Sequence, residues 1–198
     1  MLRILVTGGA GFIGSFLCDE LLSSGYRVRV LDSLHPEVHD RTRARPAHLS
    51  PEVDLHVGDV RDPAAVRRAL AGIDAVYHLA AAVGVGQSMY EIVEYTSINS
   101  LGTAVLLEEL SKRQVERLVV ASSMSIYGEG LYHDRDGRPV SSVERPRERL
   151  ERAQWEVVGA DGSTLCPLPT PESKSPALAS VYALSKYDQE RLCLIVGR

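Results

Sequence analysis

Apolar positions along the chain fall into short continuous runs separated by stretches with helical spacing. Leu2 to Val6 is such a run; it does not alternate, which predicts a parallel strand covered on both faces. Ile13, Leu17, Leu21 and Leu22 then recur at helical spacing as far as Gly25, a helix stop. Arg27 to Leu31 predicts a second strand closed by Asp32, and Asp54 to Val57 a third. A helix opens at Asp62-Pro63, a pair suited to the N-cap and first helical positions. Ala75 to Leu79 predicts a fourth strand and Arg117 to Ala121 a fifth. Between them a long helix is expected from Tyr95 to Lys112, with Ile98, Leu101, Val105, Leu106 and Leu110 on one side. A last helix is expected from Ala177 to Val196.

Strands alternating with helices imply βαβ units with right-handed crossovers, hence an α/β fold with a doubly wound parallel sheet. No internal repeat is visible. The expected organisation is one domain over residues 1–198, carrying an inserted loop-rich segment at about 129–175. That segment, Glu129 to Ser175, is rich in Pro, Arg, Glu and Asp. Asp134, Asp136 and Gly137 predict a tight turn in it, and a short charged helix is expected around Glu148 to Trp155. It has the makings of a lid or contact surface, but the simpler expectation is a passive surface insertion.

Composition narrows the functional classes. With 198 residues, 44% apolar and 24% charged, the chain can bury a core and is not a disordered sequence. A net charge of −4 offers no basic field for nucleic acid or anionic membrane, and no apolar run approaches the roughly 20 residues of a membrane span. Cys18, Cys166 and Cys193 make no CxxC pair and leave an odd count, which fits a reducing, cytoplasmic setting and speaks against a structural metal site. No metal is expected.

The segment Thr7-Gly8-Gly9-Ala10-Gly11-Phe12-Ile13-Gly14 follows a strand and opens a helix, the context that makes a glycine motif informative. Gly8 permits the tight turn, Gly11 lets the backbone approach a pyrophosphate, and Gly14 lets the helix pack closely on the sheet. The helix N-terminus then offers free N–H groups and a positive dipole end. Asp32, about 20 residues on, ends the next strand, where a carboxylate accepts hydrogen bonds from ribose hydroxyls and repels a 2′-phosphate; NAD is therefore expected over NADP. Asp59 and Val60 lie just past the third strand, and Asp59 reads either as an adenine contact or as a helix cap. His78 ends the fourth strand and reads as a packing histidine rather than a base. Leu79, Ala80 and Ala81 follow it, small enough to let backbone lie against a flat ring.

Tyr182-Ala183-Leu184-Ser185-Lys186 places a tyrosine and a lysine at i and i+4 on one helix face. A tyrosine near its usual pKa of about 10 is a poor base at neutral pH, and a neighbouring ammonium favours the phenolate. The fifth strand ends in Ser122-Ser123, where a hydroxyl can hydrogen-bond a substrate oxygen.

Taken in order, TGGAGFIG, Asp32, GDV, HLAA, Asn99, SSMSIYG and YALSK resemble the extended short-chain dehydrogenase/reductase family, over nearly the whole chain outside 129–175. The resemblance implies a Rossmann-type fold with Tyr182 as catalytic base and acid, Lys186 as its partner and Ser123 as the third catalytic hydroxyl. Asn99 would support the lysine through water. Gly8, Gly11, Phe12, Ile13, Gly14, Asp32, Asp59, Val60, Leu79, Ala80, Ala81, Asn99, Tyr182 and Lys186 would line NAD, and Ser88, Ser123 and Tyr182 would meet substrate. Ser88 reads equally as an ordinary helix N-cap. Members that dehydrate nucleotide sugars carry an Asp-Glu pair after the catalytic hydroxyl. Met124 and Ser125 stand there instead, and Val83 to Ser88 resembles the substrate loop of 4-epimerases.

The implied activity is therefore epimerisation of a nucleotide-diphosphate sugar at C4 through a 4-keto intermediate. The alternatives are net dehydrogenation or reduction of a sugar or other carbonyl, and a truncated, inactive NAD-binding module. Extended members continue past YxxxK into a smaller C-terminal substrate domain, so that domain is expected to be missing here. A homodimer through the two long helices is the expected assembly.

Overall fold

Five of the predicted strands pair into one parallel sheet. The computed structural model describes residues 1–39, 44–140 and 143–197. β1 (Arg3–Thr7), β2 (Arg27–Asp32), β3 (Asp54–Val57), β4 (Ala75–His78) and β5 (Arg117–Val120) lie in the order β3-β2-β1-β4-β5. The chain steps outward from β1 to β3 and then returns to β4, so the direction of winding reverses between β1 and β4. The Rossmann-type α/β expectation is borne out.

The strand period of two divides the core into two layers. Ile4 and Val6 of β1 and Val28 and Val30 of β2 pack with Cys18 and Leu21 of α1 (Phe12–Ser23). Leu5 and Leu31 face the other way, onto Ala65, Val66 and Ala69 of α2 (Pro63–Ala69) and onto Val105, Leu106 and Leu110. Both faces of the central strands are covered, which is why their sequences do not alternate. Asp62 caps α2 as expected, its carboxylate accepting the Ala64 amide at 2.8 Å, with Pro63 at the first helical position.

The expected long helix is three pieces: α3 (Ile92–Tyr95), a π-helical stretch Thr96–Leu101, and α4 (Gly102–Lys112). A π turn adds a residue per turn and rotates what lies next to it. Leu101, expected on one side with Val105 and Leu106, is consequently 53% exposed where those two are buried, while Asn99 and Thr103 are fully buried. α6 (Val181–Val196) begins four residues later than expected, because the Ser180 hydroxyl caps it by accepting the Ala183 amide at 3.0 Å.

The chain divides into two compact units, Met1–Ser123 with Ser180–Arg198, and Met124–Ala179. The second is mostly loop, as expected, but it also holds a small sheet and core that the sequence did not announce. β6 (Leu131–His133) is the centre of an antiparallel sheet ordered β7-β6-β8 with β7 (Pro139–Val140) and β8 (Cys166–Leu168). Tyr132, Val157 and Leu165 form a small core with Val140 and Val143. Strands of two or three residues are too short to show a period, so the sequence carries no sign of them. The expected turn is present: the Asp134 carboxylate accepts the amides of Asp136 and Arg138, and Gly137 has φ +76°. The charged helix is α5 (Arg147–Glu151), one turn shorter at its C-terminal end than expected. Positions 141 and 142 of the expected insertion lie outside the described residues. Among the described residues no helix is long and apolar enough to cross a membrane.

Candidate functional site

The glycine turn joins β1 to α1 at the carboxyl edge of the sheet. Gly8 has φ +71°, its amide donates to the Leu31 carbonyl at 2.9 Å, and a Cβ there would stand 2.8 Å from the Ala80 nitrogen. The turn thus lies against the end of β4. At Gly14 a Cβ would stand 2.4 Å from the Gly8 carbonyl oxygen and 2.6 Å from Gly9 Cα, so only glycine lets α1 close on the turn. Gly9 is confined as well, by a side chain: a Cβ there would stand 2.4 Å from Val30 Cγ2.

Gly11 is different. Its φ is −73°, open to any residue, and an added Cβ would meet only the Gly8 carbonyl oxygen, at 3.4 Å. The fold does not need a glycine there; it leaves space in front of α1. No side chain caps α1, and its first-turn amides have no acceptor within the helix. Phe12 and Ile13 are 80% and 71% exposed, so what they direct to that space is backbone N–H.

Asp32 closes β2 beneath the turn. Its carboxylate accepts the Ala10 amide at 3.0 Å and the Leu34 amide at 2.9 Å, one to each oxygen. Two histidines absent from the sequence reading stand beside it. His39 Nε2 is 3.7 Å from Asp32 Oδ1, and its ring stacks on His48, whose Nε2 lies 2.9 Å from the Ala10 carbonyl. A carbonyl only accepts, which assigns the His48 proton to Nε2. Both come from the long β2–β3 connection, where no periodicity marks them.

Asp59 does not cap α2; Asp62 does. The Asp59 carboxylate turns back on Arg61, accepting its amide at 2.8 Å and its Nη2 at 2.7 Å. Burial would raise this carboxyl, but the Arg61 hydrogen bonds and charge outweigh burial and hold it below the usual carboxylate range. Arg61 also reaches Glu94 and Ser97. The Val60 side chain, expected to line a cofactor, is buried in the core against Gly102, where a Cβ would stand 2.7 Å from it.

Past β4, Leu79, Ala80 and Ala81 are half-buried, and Thr7 takes the amides of Leu79 and Ala80 through its carbonyl and hydroxyl. Asn99 is fully buried. Its Oδ1 accepts the Ala82 amide at 2.8 Å, and its Nδ2 donates to the Ala82 carbonyl at 3.1 Å and the Ser185 hydroxyl at 2.9 Å. Asn99 thereby ties the chain after β4 to α6, one residue before Lys186.

α6 turns Tyr182, Ser185, Lys186, Gln189 and Cys193 inward. The Tyr182 ring meets Tyr95 edge-on at 6.4 Å. Lys186 is 3% exposed and donates to Gln189 Oε1 at 2.6 Å. Burial lowers its pKa to about 8 against a smaller opposite effect of Cys193. Ser123 stands three residues past the end of β5, and Ser122 before it donates to Glu190 of α6 at 2.7 Å. His78 is the expected packing histidine: buried, bonded to Thr7 and Thr103, and pushed down to about 3 by burial and by Lys186.

Ser88 is neither an N-cap of its own helix nor open to a ligand. Fully buried within the short turn Gln87–Met89, its hydroxyl donates to the Val85 carbonyl and accepts the Tyr182 amide at 3.0 Å. It caps α6 from 94 residues away. Among the described residues no cluster of His, Cys, Asp and Glu can hold a metal ion.

The family model described as "NAD dependent epimerase/dehydratase family" matches residues 4–149. The chain belongs to that family. It is 37% identical over 194 residues to a dTDP-L-rhamnose 4-epimerase of Burkholderia thailandensis, covering 96% of this chain and 52% of that protein. A UDP-glucose 4-epimerase of Neisseria meningitidis is 34% identical over 169 residues, covering 81% and 50%. Among solved structures, the UDP-glucose 4-epimerase of Thermotoga maritima with UDP-glucose superposes with a TM-score of 0.73 at 28% identity, over 100% of this chain and 52% of that one. That of Thermus thermophilus with NAD gives 0.71 at 30% identity, over 99% and 51%. The chain spans about half the length of the curated relatives it matches.

Proposed function

We propose that the chain is the cofactor-binding half of an NAD-dependent nucleotide-sugar 4-epimerase. The observation that carries this is the pairing, in one unit, of an uncapped α1 behind Gly11 with a buried tyrosine–lysine face on α6. The first-turn amides of α1 and the space at Gly11 fit a pyrophosphate. Each Asp32 oxygen has one backbone amide and retains acceptor capacity for a ribose hydroxyl, while its charge opposes a 2′-phosphate. Asp59 would turn to adenine from its Arg61 partner, and Val60 would serve through backbone. Leu79 to Ala81 offer a half-buried shelf for the nicotinamide side.

When bound, NAD supplies the acceptor and donor of hydride at the sugar C4. The protein's part is proton transfer and positioning. The Tyr182 phenolic oxygen takes the proton of the 4-hydroxyl and returns it once the 4-keto sugar has turned over in the site. Lys186 holds the tyrosine and the ribose in place, and Ser123 hydrogen-bonds the reacting oxygen. The substrate is a nucleotide-diphosphate sugar, in keeping with the names of the relatives. The cytoplasm suits three free cysteines. Leu101, Leu184 and Ile195, all more than half exposed on the π stretch and α6, suit a second copy of the chain.

The test is incubation with a panel of nucleotide sugars, with inversion at C4 followed by NMR. Epimerisation without net NADH, abolished in Tyr182→Phe, is the expected result. Stoichiometric NADH release would establish a dehydrogenase, and full activity in Tyr182→Phe would remove the tyrosine from the mechanism.

A further inference from the structure

A buried chain of side chains runs behind the α6 face. Thr103 Oγ1 lies 2.6 Å from the Asn99 carbonyl, which can only accept, so the Thr103 proton is used there. Its oxygen therefore accepts from its two other neighbours, Gln189 Nε2 at 2.8 Å and His78 Nε2 at 2.9 Å. This assigns the His78 proton to Nε2 and leaves Nδ1 to accept the Thr7 hydroxyl at 2.7 Å. The 3.3 Å approach of Gln189 Nε2 to His78 Nε2 is then between two donors sharing one oxygen. With its nitrogen committed to Thr103, the Gln189 amide must turn its oxygen toward Lys186, and it meets the ammonium at 2.6 Å. The Gln189 amide and the His78 ring are each thereby assigned one orientation.

We infer that Gln189 is a positioning residue for Lys186, fixing where the ammonium stands by anchoring it through Thr103 and His78 to the end of β1. This rests on the proposed cofactor role of Lys186. Gln189 and His78 are fully buried, and the titratable groups facing the ammonium are His78 of β4 and Cys193 of α6. An amide is the side chain this place requires. It must accept from a cation at one end and donate to a saturated hydroxyl at the other; a carboxylate has no donor, and a thioether has no donor and only a weak acceptor.

The experiment uses the chain labelled with 13C at the lysine ε-carbons, the Lys186 signal being identified by its loss in Lys186→Met. Gln189→Glu is expected to raise the Lys186 titration midpoint by about one unit, a tenfold change in proton affinity. Gln189→Met is expected to lower the midpoint and weaken NAD binding about tenfold, a loss on the scale of one hydrogen bond to a charged group. A midpoint unmoved in both variants overturns the inference, as does parental NAD affinity in Gln189→Met beside lost affinity in Lys186→Met. Should Gln189→Met fail to fold, the isosteric Gln189→Glu decides alone. Parental NAD affinity in Lys186→Met would sink the cofactor role of the lysine, while the midpoints still report whether Gln189 positions it.

Discussion

The glycine turn and the inner face of α6 stand at the same edge of the same sheet, yet they are built from different material. At the turn the groups are backbone: amides of α1, the space before Gly11, and close contacts among Gly8, Gly9 and Gly14, with the Asp32 carboxylate accepting the Ala10 amide. On α6 the working groups are side chains held by other side chains: Lys186 by Gln189 three residues on, Gln189 by Thr103 and Thr103 by His78, while Ser88 accepts the Tyr182 amide. A backbone site is set by local conformation and fails when a Cβ intrudes. A side-chain site is set by packing and fails when a remote partner is lost.

The sharpest way to break this comparison lies within the turn itself. Gly14→Ala would push a methyl into backbone that cannot move, at an expected cost of about 3 kcal/mol in urea denaturation. Gly11→Ala should leave stability within about 0.5 kcal/mol of the parent yet weaken NAD binding roughly 100-fold, measured by calorimetry. Equal destabilisation by both would mean that Gly11 serves the fold and not a ligand.

Next in size is Asn99→Ala, which leaves the Ala82 backbone and the Ser185 hydroxyl without their partner. The expected loss is about 2–3 kcal/mol, and faster hydrogen exchange should appear after β4 and on α6 but not at the turn. Exchange that quickened at the turn as well would show the two regions to be one cooperative element.

The most gradual effect is a slope. Lys186 has a pKa of about 8 in the folded chain against an ordinary 10.5. Between those values the unfolded chain binds the extra proton, so this residue makes stability rise with pH, by up to about 3 kcal/mol across the window. Cys18 and Cys193, raised to about 12 and about 11, act oppositely above pH 9, because their thiols ionise more readily once unfolded. Both are present in Lys186→Met, so the difference between the two denaturation series reports the lysine together with its coupling to Cys193. A difference that stayed flat from pH 8 to 10.5 would show that the ammonium is not held in a low-dielectric site.

The parts legible in advance share a physical character. The central parallel strands announced themselves because both their faces are buried, and the Asp62-Pro63 start because its chemistry is local. The π stretch was not legible: nothing in Thr96 to Leu101 breaks helical spacing, and only the demand to bury Asn99 against Ala82 and Ser185 rewinds the helix there. The antiparallel sheet in the second unit escaped for the opposite reason, its strands being shorter than any period. Asp59 was placed rightly at the sheet edge, but its pairing with Arg61 depends on a bidentate geometry that spacing does not disclose.

By itself the sequence determined the sheet, the turn and which residue types stand at its edge, because hydrophobic period and glycine conformation act within a few residues. The tertiary structure alone decided that Ser88 caps α6 and that Lys186 faces Gln189. Those contacts join positions 94 residues apart, or depend on which way one amide is turned, and burial leaves each a single satisfied arrangement.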